Sequence, residues 1–252
     1  MGWLLHGFKR VLLRLKAIVA DPSAPWFHCP VCGYRGPFLA MHRLSGDRRH
    51  AQCPDCKSLE RHRLQYLVLE QVLRGRPCKS MRMLHFAPEP FMQGYFRRRF
   101  RCYETADLHM TGVDHKVDLA ALPFESDSYD FVFASHVLEH VRDDHRALAE
   151  IRRILAPGGI AVLPVPLVAE TTVEYPEPNP AEDYHVRAPG YDYYDRYRLF
   201  FARIDQYASD AFPFEHQVYI YGDRSQFPTA ECPWRTPMAG DRHADVVPVC
   251  YR

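Results

Sequence analysis

The chain lacks any apolar run long enough to cross a membrane. It also lacks the uncharged core of a signal peptide, because Lys9, Arg10, Arg14 and Lys16 interrupt the N-terminal apolar residues. Net charge is only +1, so no global field draws the protein to nucleic acid or to a lipid surface. No Ser–His–Asp set suggests itself. What is present is ordinary for a folded enzyme-sized chain: 252 residues, 47% hydrophobic and 25% charged. That length allows one α/β domain and a small appendage. Eight cysteines without an export signal point to reduced thiols, metal binding and a cytoplasmic setting rather than disulfides. Proline is frequent, and much of it lies after residue 160, which suggests an irregular C-terminal third.

No acid occurs before Asp21, and residues 3–19 read as one helix. Leu4, Phe8, Val11, Leu12, Leu15, Ile18 and Val19 share a face opposite a basic one. Such a helix packs on its own domain or a twin subunit, or lies on a membrane or partner surface. Residues 21–25 then read as a linker, closing a first segment of residues 1–25.

Cys29-Pro30-Val31-Cys32 is followed by Cys53-Pro54-Asp55-Cys56 after twenty residues. Each pair turns two thiolates toward one point, and two such knuckles complete a tetrahedron around Zn²⁺. Four thiolates leave no open position, so a structural zinc ribbon over residues 26–57 is expected. So few residues build little core, and the metal would supply folding energy of about 10 kcal/mol. A ribbon that also recognises substrate is the alternative. His42, Arg43, Arg48, Arg49, Arg61 and Arg63 either contact nucleic acid or form a solvated face. Gly33 stands where the first knuckle calls for positive φ.

From residue 58 the pattern becomes α/β, and a main domain over 58–222 is expected. Residues 58–74 read as a helix, 81–86 as a strand, 91–100 as a helix and 102–106 as a second strand ending at Asp107. In doubly wound sheets a carboxylate at such a strand end accepts ribose hydroxyls. Phe131, Val132, Phe133 and Ala134 form a short apolar strand. Asp143 or Asp144 can cap the next helix, whose Ala147, Leu148, Ile151, Ile154 and Leu155 fall on one face. Pro157-Gly158-Gly159 stops it before a strand at 160–165. A strand–helix–strand unit of this length implies a parallel sheet with right-handed crossover.

The order D-x-V-x-x-x-x-V-L-E-H-V from Asp130 to Val141, then a helix, then L-x-P-G-G from Leu155, resembles class I S-adenosylmethionine-dependent methyltransferases of the type-11 kind. The resemblance runs over roughly residues 80–165. It implies a Rossmann-like seven-stranded sheet with S-adenosylmethionine (SAM) at its carboxyl edge. It assigns the ribose to Asp107, adenine packing to Leu108, the adenine amino group to Asp118 beside Leu119, and the end of the central strand to Ser135. Where the family has a glycine-rich turn, this chain has Ala87, Pro88 and Glu89, and His85 stands in place of an acid. Leu84-His85-Phe86-Ala87-Pro88-Glu89 resembles a variant first motif of a zinc-ribbon subgroup, in which Glu89 can pair with the cofactor's ammonium group.

His136 is positioned to line the acceptor pocket, and His136 and His185 are candidate bases. Glu139 and His140 read more simply as packing residues. Residues 166–180 suggest a lid leading to a loop rich in His, Arg and Tyr at 183–194, which could equally be an interface. A helix is expected over 194–201, and Gln217–Tyr221 alternates like an antiparallel closing edge strand. Residues 223–252 have no period and read as an extension, with Cys232 and Cys250 unligated.

Methyl transfer to a small molecule or a glycan is the leading expectation, in a monomer or a homodimer. An RNA methyltransferase with a zinc-ribbon reader is the second. A non-catalytic scaffold that lost its cofactor turn is the third.

Overall fold

The computed structural model describes residues 11–19 and 22–252. Residues 3–10 of the expected N-terminal helix and part of the expected linker lie outside these. The chain folds as two compact units. The first takes residues up to Val72, Ala208–Gln226 and Ala239–Asp245, and the second takes Leu73–Tyr207, Phe227–Met238 and Val246–Arg252. No helix among the described residues is long and apolar enough to cross a membrane.

In the first unit, Phe27–His28 pairs antiparallel with Arg35–Gly36. A four-stranded sheet runs Arg242–His243, Ile220–Tyr221, Arg48–Gln52, Leu39–Met41. The small core is Phe27, Tyr34 and Phe38 packed with Cys29 and Cys53. Helix α1 (residues 11–19) turns its apolar face outward, with Leu12, Leu15, Ile18 and Val19 exposed. Its Ala17 is buried, and its Arg14 holds Asp55 of the second knuckle through Nε at 2.6 Å. The apolar stripe of this helix therefore does not pack on its own unit.

Helix α2 (Glu60–Val72) carries Arg63 into the core. Its guanidinium donates to the carbonyls of Ala51, Ser58 and Gln217 and lies 4.5 Å over the Phe38 ring. Buried guanidinium is costly unless its donors are used, and these carbonyls take four of its five N–H groups.

In the second unit, seven strands form one sheet: β1 (Arg82–Phe86), β2 (Cys102–Asp107), β3 (His115–Lys116), β4 (Tyr129–Ala134), β5 (Leu155–Val162), β6 (Arg203–Ala208) and β7 (Val246–Tyr251). Their order is β3-β2-β1-β4-β5-β7-β6. Strands β1 to β5 are parallel neighbours, and β7 runs antiparallel to β5. The order reverses between β1 and β4, the switch point at which doubly wound sheets open a crevice.

Helix α3 (Pro90–Arg99) links β1 to β2, and α4 (Asp144–Ile154) links β4 to β5. Asp143 caps α4 by accepting from the Arg146 N–H at 3.0 Å, an interaction worth about 1 kcal/mol. Ala147, Leu148, Ile151 and Ile154 are fully buried, as the helical spacing required. Residues expected as a helix near 194–201 instead form a 3₁₀ segment, Tyr191–Leu199.

The closing edge differs from the sequence expectation. Gln217–Tyr221 does not join the large sheet. Gln217 adopts positive φ (46°) and is fully buried, its amide donating to the His50 carbonyl at 2.8 Å. Only Ile220–Tyr221 remains a strand, with Tyr221 opposite Arg49. The antiparallel strand is β7, drawn from the segment without apparent period. Val246 to Cys250 are all buried, so no alternation marked it.

Candidate cofactor cavity and cysteine cluster

The sheet positions its chemistry at the carboxyl ends of β1, β2 and β4. A cavity of about 580 Å³ lies there, lined among others by Ala87, Asp107, Leu108, Asp118, Leu119 and His136. Of the sequence candidates, these six therefore share one hollow. Pro88 and Ser135 are buried beside it without lining it, and Glu89 is the half-buried residue preceding α3. His185 is set back from the cavity, its side chain 14% exposed.

Asp107 ends β2 in an Asx turn. Its Oδ1 accepts from the N–H groups of His109 and Met110 at 2.7 and 2.6 Å. Asp118 is oriented likewise, its Oδ1 accepting from the Ala120 N–H at 2.8 Å. In each case one carboxylate oxygen fixes the loop while the residue lines the cavity. Asp114 ties the loop after Asp107 back to β2, accepting from the Thr105 N–H and hydroxyl at 2.8 and 2.7 Å. These bonds hold its carboxyl below the usual carboxylate range. Arg153 of α4 grips the carbonyls of Leu122 and Phe124, which steadies the chain between Asp118 and β4.

Four cavity residues without a glycine's freedom sit in left-handed conformations: Ala87 at φ 45°, His136 at φ 56°, Asp183 at φ 54° and Tyr184 at φ 65°. Ala87 thus keeps the backbone turn of a glycine while carrying a methyl group. Its N–H donates to the Ala106 carbonyl at 2.9 Å, which locks the strained turn to β2. Glycine would remove a left-handed cost of about 1–2 kcal/mol. It would add about 0.4–1 kcal/mol of chain entropy to the unfolded state. Ala87→Gly is therefore expected to raise stability in urea unfolding by about 0.5 kcal/mol, and Ala87→Val to lower it.

His85 does not replace the expected acid at the cavity. It is buried, bonded to the Tyr103 hydroxyl at 2.8 Å, and set edge-on against Phe96 and Phe133. Burial holds it neutral, with its pKa lowered to about 3. It is a core histidine.

Sequence reasoning passed over several lining residues. His140, Val141, Pro178, Asp183, Tyr184 and Val186 all face the same cavity. The last four come from a hairpin, Val173–Asn179 with His185–Ala188, and its turn. The H-x-x-E-H spacing of His136, Glu139 and His140 was the available signal, since it clusters all three on one short turn.

In the first unit, the four cysteines converge. Cys29 Sγ stands 3.6 Å from Cys56 Sγ, and Cys32 Sγ stands 3.7 Å from Cys53 Sγ. All four sulfurs lie within 4.8 Å of one another. Zn–S bonds of about 2.3 Å place the corners of a tetrahedron about 3.8 Å apart, so the set fits zinc. The two knuckles match. Gly33 N–H donates to the Cys29 carbonyl at 2.9 Å, and Lys57 N–H donates to the Cys53 carbonyl at 3.0 Å. Gly33 and Lys57 both have positive φ, 77° and 59°. Thiols this close cannot all ionise without a cation between them. Hydrogen bonding from Cys29 pushes Cys53 up, while the set pulls Cys29 down. None of the eight cysteines is in a disulfide.

Comparison with known proteins agrees with this geometry. Residues 97–163 match the family model of a methyltransferase domain. An S-adenosylmethionine-dependent methyltransferase of Mesorhizobium loti superposes with a TM-score of 0.50 at 16% identity. That match covers 75% of this chain and 98% of the other. A phosphoethanolamine N-methyltransferase of Haemonchus contortus gives 0.48 at 13% identity, over 74% and 52% of the two chains. An uncharacterised 37.1 kDa protein of transposon TN4556 from Streptomyces fradiae is 43% identical over 60 residues. The aligned part is 24% of this chain and spans only 17% of that curated relative. The second unit thus has the Rossmann-like fold of such methyltransferases, and residues 97–163 within it match a methyltransferase domain.

Proposed function

We propose that the protein is a SAM-dependent methyltransferase that acts on a small-molecule or glycan acceptor. One observation carries the reading. Asp107 at the end of β2 and Asp118 in the loop after β3, each with one oxygen committed to its own loop, line a single cavity at the sheet's switch point. Asp107 would accept from the ribose hydroxyls, Asp118 from the adenine amino group, and Leu108 and Leu119 would clasp the base. Ala87, in its glycine-like turn beside Pro88 and Glu89, would let the backbone approach the methionine end. Bound there, SAM supplies a methyl group already activated by its sulfonium. The chain then has only to hold an acceptor in line and exclude water. His136, at the cavity wall, is the candidate proton acceptor, and His185 would act behind it. Burial lowers the pKa of His185 to about 3, so it serves better as a neutral partner than as a base.

The basic residues of the first unit favour a small acceptor over RNA. Arg63 is buried, Arg48 pairs with buried Glu60 at 3.2 Å, Arg49 pairs with Asp241, and His42 pairs with Asp47 at 2.9 Å. Arg63 and Arg48 are thereby withdrawn from a phosphate backbone, while Arg49 and His42 stay exposed. The four cysteines would hold a structural Zn²⁺. The outward apolar face of α1 would dock on a membrane, a partner or a second copy. Unbridged thiols suit a cytoplasmic setting.

The test is transfer of a radiolabelled methyl group from SAM to fractionated cell extract. Label is expected in the small-molecule and glycan fractions. Label confined to RNA would replace the acceptor assignment with the RNA reading.

A further inference from the structure

Behind the cavity lies a cluster that cofactor binding does not use. Glu139 sits on a 3₁₀ turn, Leu138–His140, with its carboxylate wholly removed from solvent. Its Oε1 is 3.5 Å from His136 Nδ1, 4.0 Å from His140 Nε2 and 4.0 Å from His185 Nε2. The rings of His140 and His185 stand edge to face, 4.8 Å apart. Ligand atoms of Glu139, His140 and His185 all fall within 4.8 Å of one another.

The surroundings fix this cluster in place. His185 and Arg187, two residues apart on one strand of the hairpin, both reach the turn. Buried Arg187 donates to the carbonyls of Leu138, Val141 and Arg142 at 2.6, 2.7 and 2.9 Å. It thereby clamps the backbone on either side of Glu139 and His140. Charges facing the imidazoles are few: Asp183 near His140, and Arg235 near His185. His136 and His140 also line the cavity, so the cluster has one open side.

We propose that Glu139, His140 and His185, with His136 at the rim, bind a divalent transition-metal ion at the inner wall of the cavity. Two imidazoles and a carboxylate form an N,N,O donor set that takes Zn²⁺, Fe²⁺, Mn²⁺ or Co²⁺ and leaves positions open. Metal–ligand distances of about 2.1 Å require donor separations of about 3.0–3.4 Å. The two Glu139–imidazole separations exceed that by about 1 Å or less and the imidazole pair lies within 4.8 Å, so side-chain rotations must draw the donors together. Unlike the closed four-thiolate site, this one can bind a ligand from the cavity. On the methyltransferase reading, the open positions face the acceptor and select one that offers oxygen donors, such as a hydroxyl of a sugar. The ion would hold that oxygen and favour its deprotonated form.

The test uses the full chain loaded with zinc at the cysteines, titrated with Co²⁺. Weak visible bands without sulfur-to-cobalt charge transfer would report binding at nitrogen and oxygen ligands, and elemental analysis would count ions per chain. One cobalt is expected beyond the ribbon's zinc. Glu139→Gln and His140→Gln should each weaken it by about 100-fold. His140 is partly exposed, so its variant folds even if the buried Glu139 variant does not. No cobalt binding, or equal binding by wild type and His140→Gln, would overturn the site. A SAM titration run in parallel separates the two readings. Cobalt binding without SAM binding keeps the metal site and removes its assigned acceptor. SAM binding without cobalt binding removes the metal site alone.

Discussion

Asp107→Asn is expected to weaken SAM binding by about 10–100-fold in calorimetry and to leave the melting temperature nearly unchanged. The two halves of this expectation come from different oxygens of one side chain. Oδ1 serves the turn, accepting from His109 and Met110, and an asparagine oxygen can do the same. On the proposed reading the second oxygen meets the ribose hydroxyls, and there an amide would replace a charged acceptor. Hydrogen bonds to a charged group are worth about 1.5–3 kcal/mol, and losing most of one gives that fold-change. Asp107→Ala makes the contrast sharper, since it should lose both binding and the turn. If Asp107→Asn bound SAM as tightly as wild type, the carboxylate would be only a loop cap.

Cys53→Ser, or stripping the metal with a strong chelator, is expected to unfold the cysteine-bearing part of the first unit. Its core is a handful of side chains, Phe27, Tyr34 and Phe38 around Cys29 and Cys53. So little buried area supplies only a few kcal/mol against the entropy of ordering some thirty residues. A zinc ion held by four thiolates contributes about 10 kcal/mol, more than the rest of the unit can replace. In Cys53→Ser, zinc content should fall by one ion per chain. Amide exchange in residues 26–57 should lose protection, while peptides from β4 and β5 keep theirs. Retained protection at 26–57 without metal would mean that the thiols are packing residues. Burial pulls the pKa of Arg63 down, opposed by nearby Glu60 and by Cys29, Cys53 and Cys56.

The second unit was legible where periodicity and punctuation agreed. The α4 stripe and its Asp143 cap specified the helix, whereas Pro157-Gly158-Gly159, expected to stop it before a strand at 160–165, lies inside β5; Asp107 ends β2, and Asp118 follows β3 by two residues. Legibility failed where burial erased the pattern. Strand β7 is buried along nearly its whole length and shows no alternation. Gln217–Tyr221 alternates well, but a left-handed Gln217 interrupts it and sends its end to another sheet. The apolar stripe of α1 was visible, but not that it faces outward. Ala87 shows a different limit: its sequence hides a glycine's conformation, because strain is a property of the fold and not of the residue. Glu139 and His140 resemble packing residues in sequence, and only the return of the hairpin brings His185 to them.

The most direct measurement is calorimetric titration of SAM into the intact chain. A single saturable site per chain with micromolar to tens of micromolar affinity, competed by S-adenosylhomocysteine, is the result expected if the hollow between Asp107 and Asp118 takes a nucleoside. Absence of heat up to millimolar SAM would contradict it, and would leave a methyltransferase fold that has kept its shape and lost its cofactor.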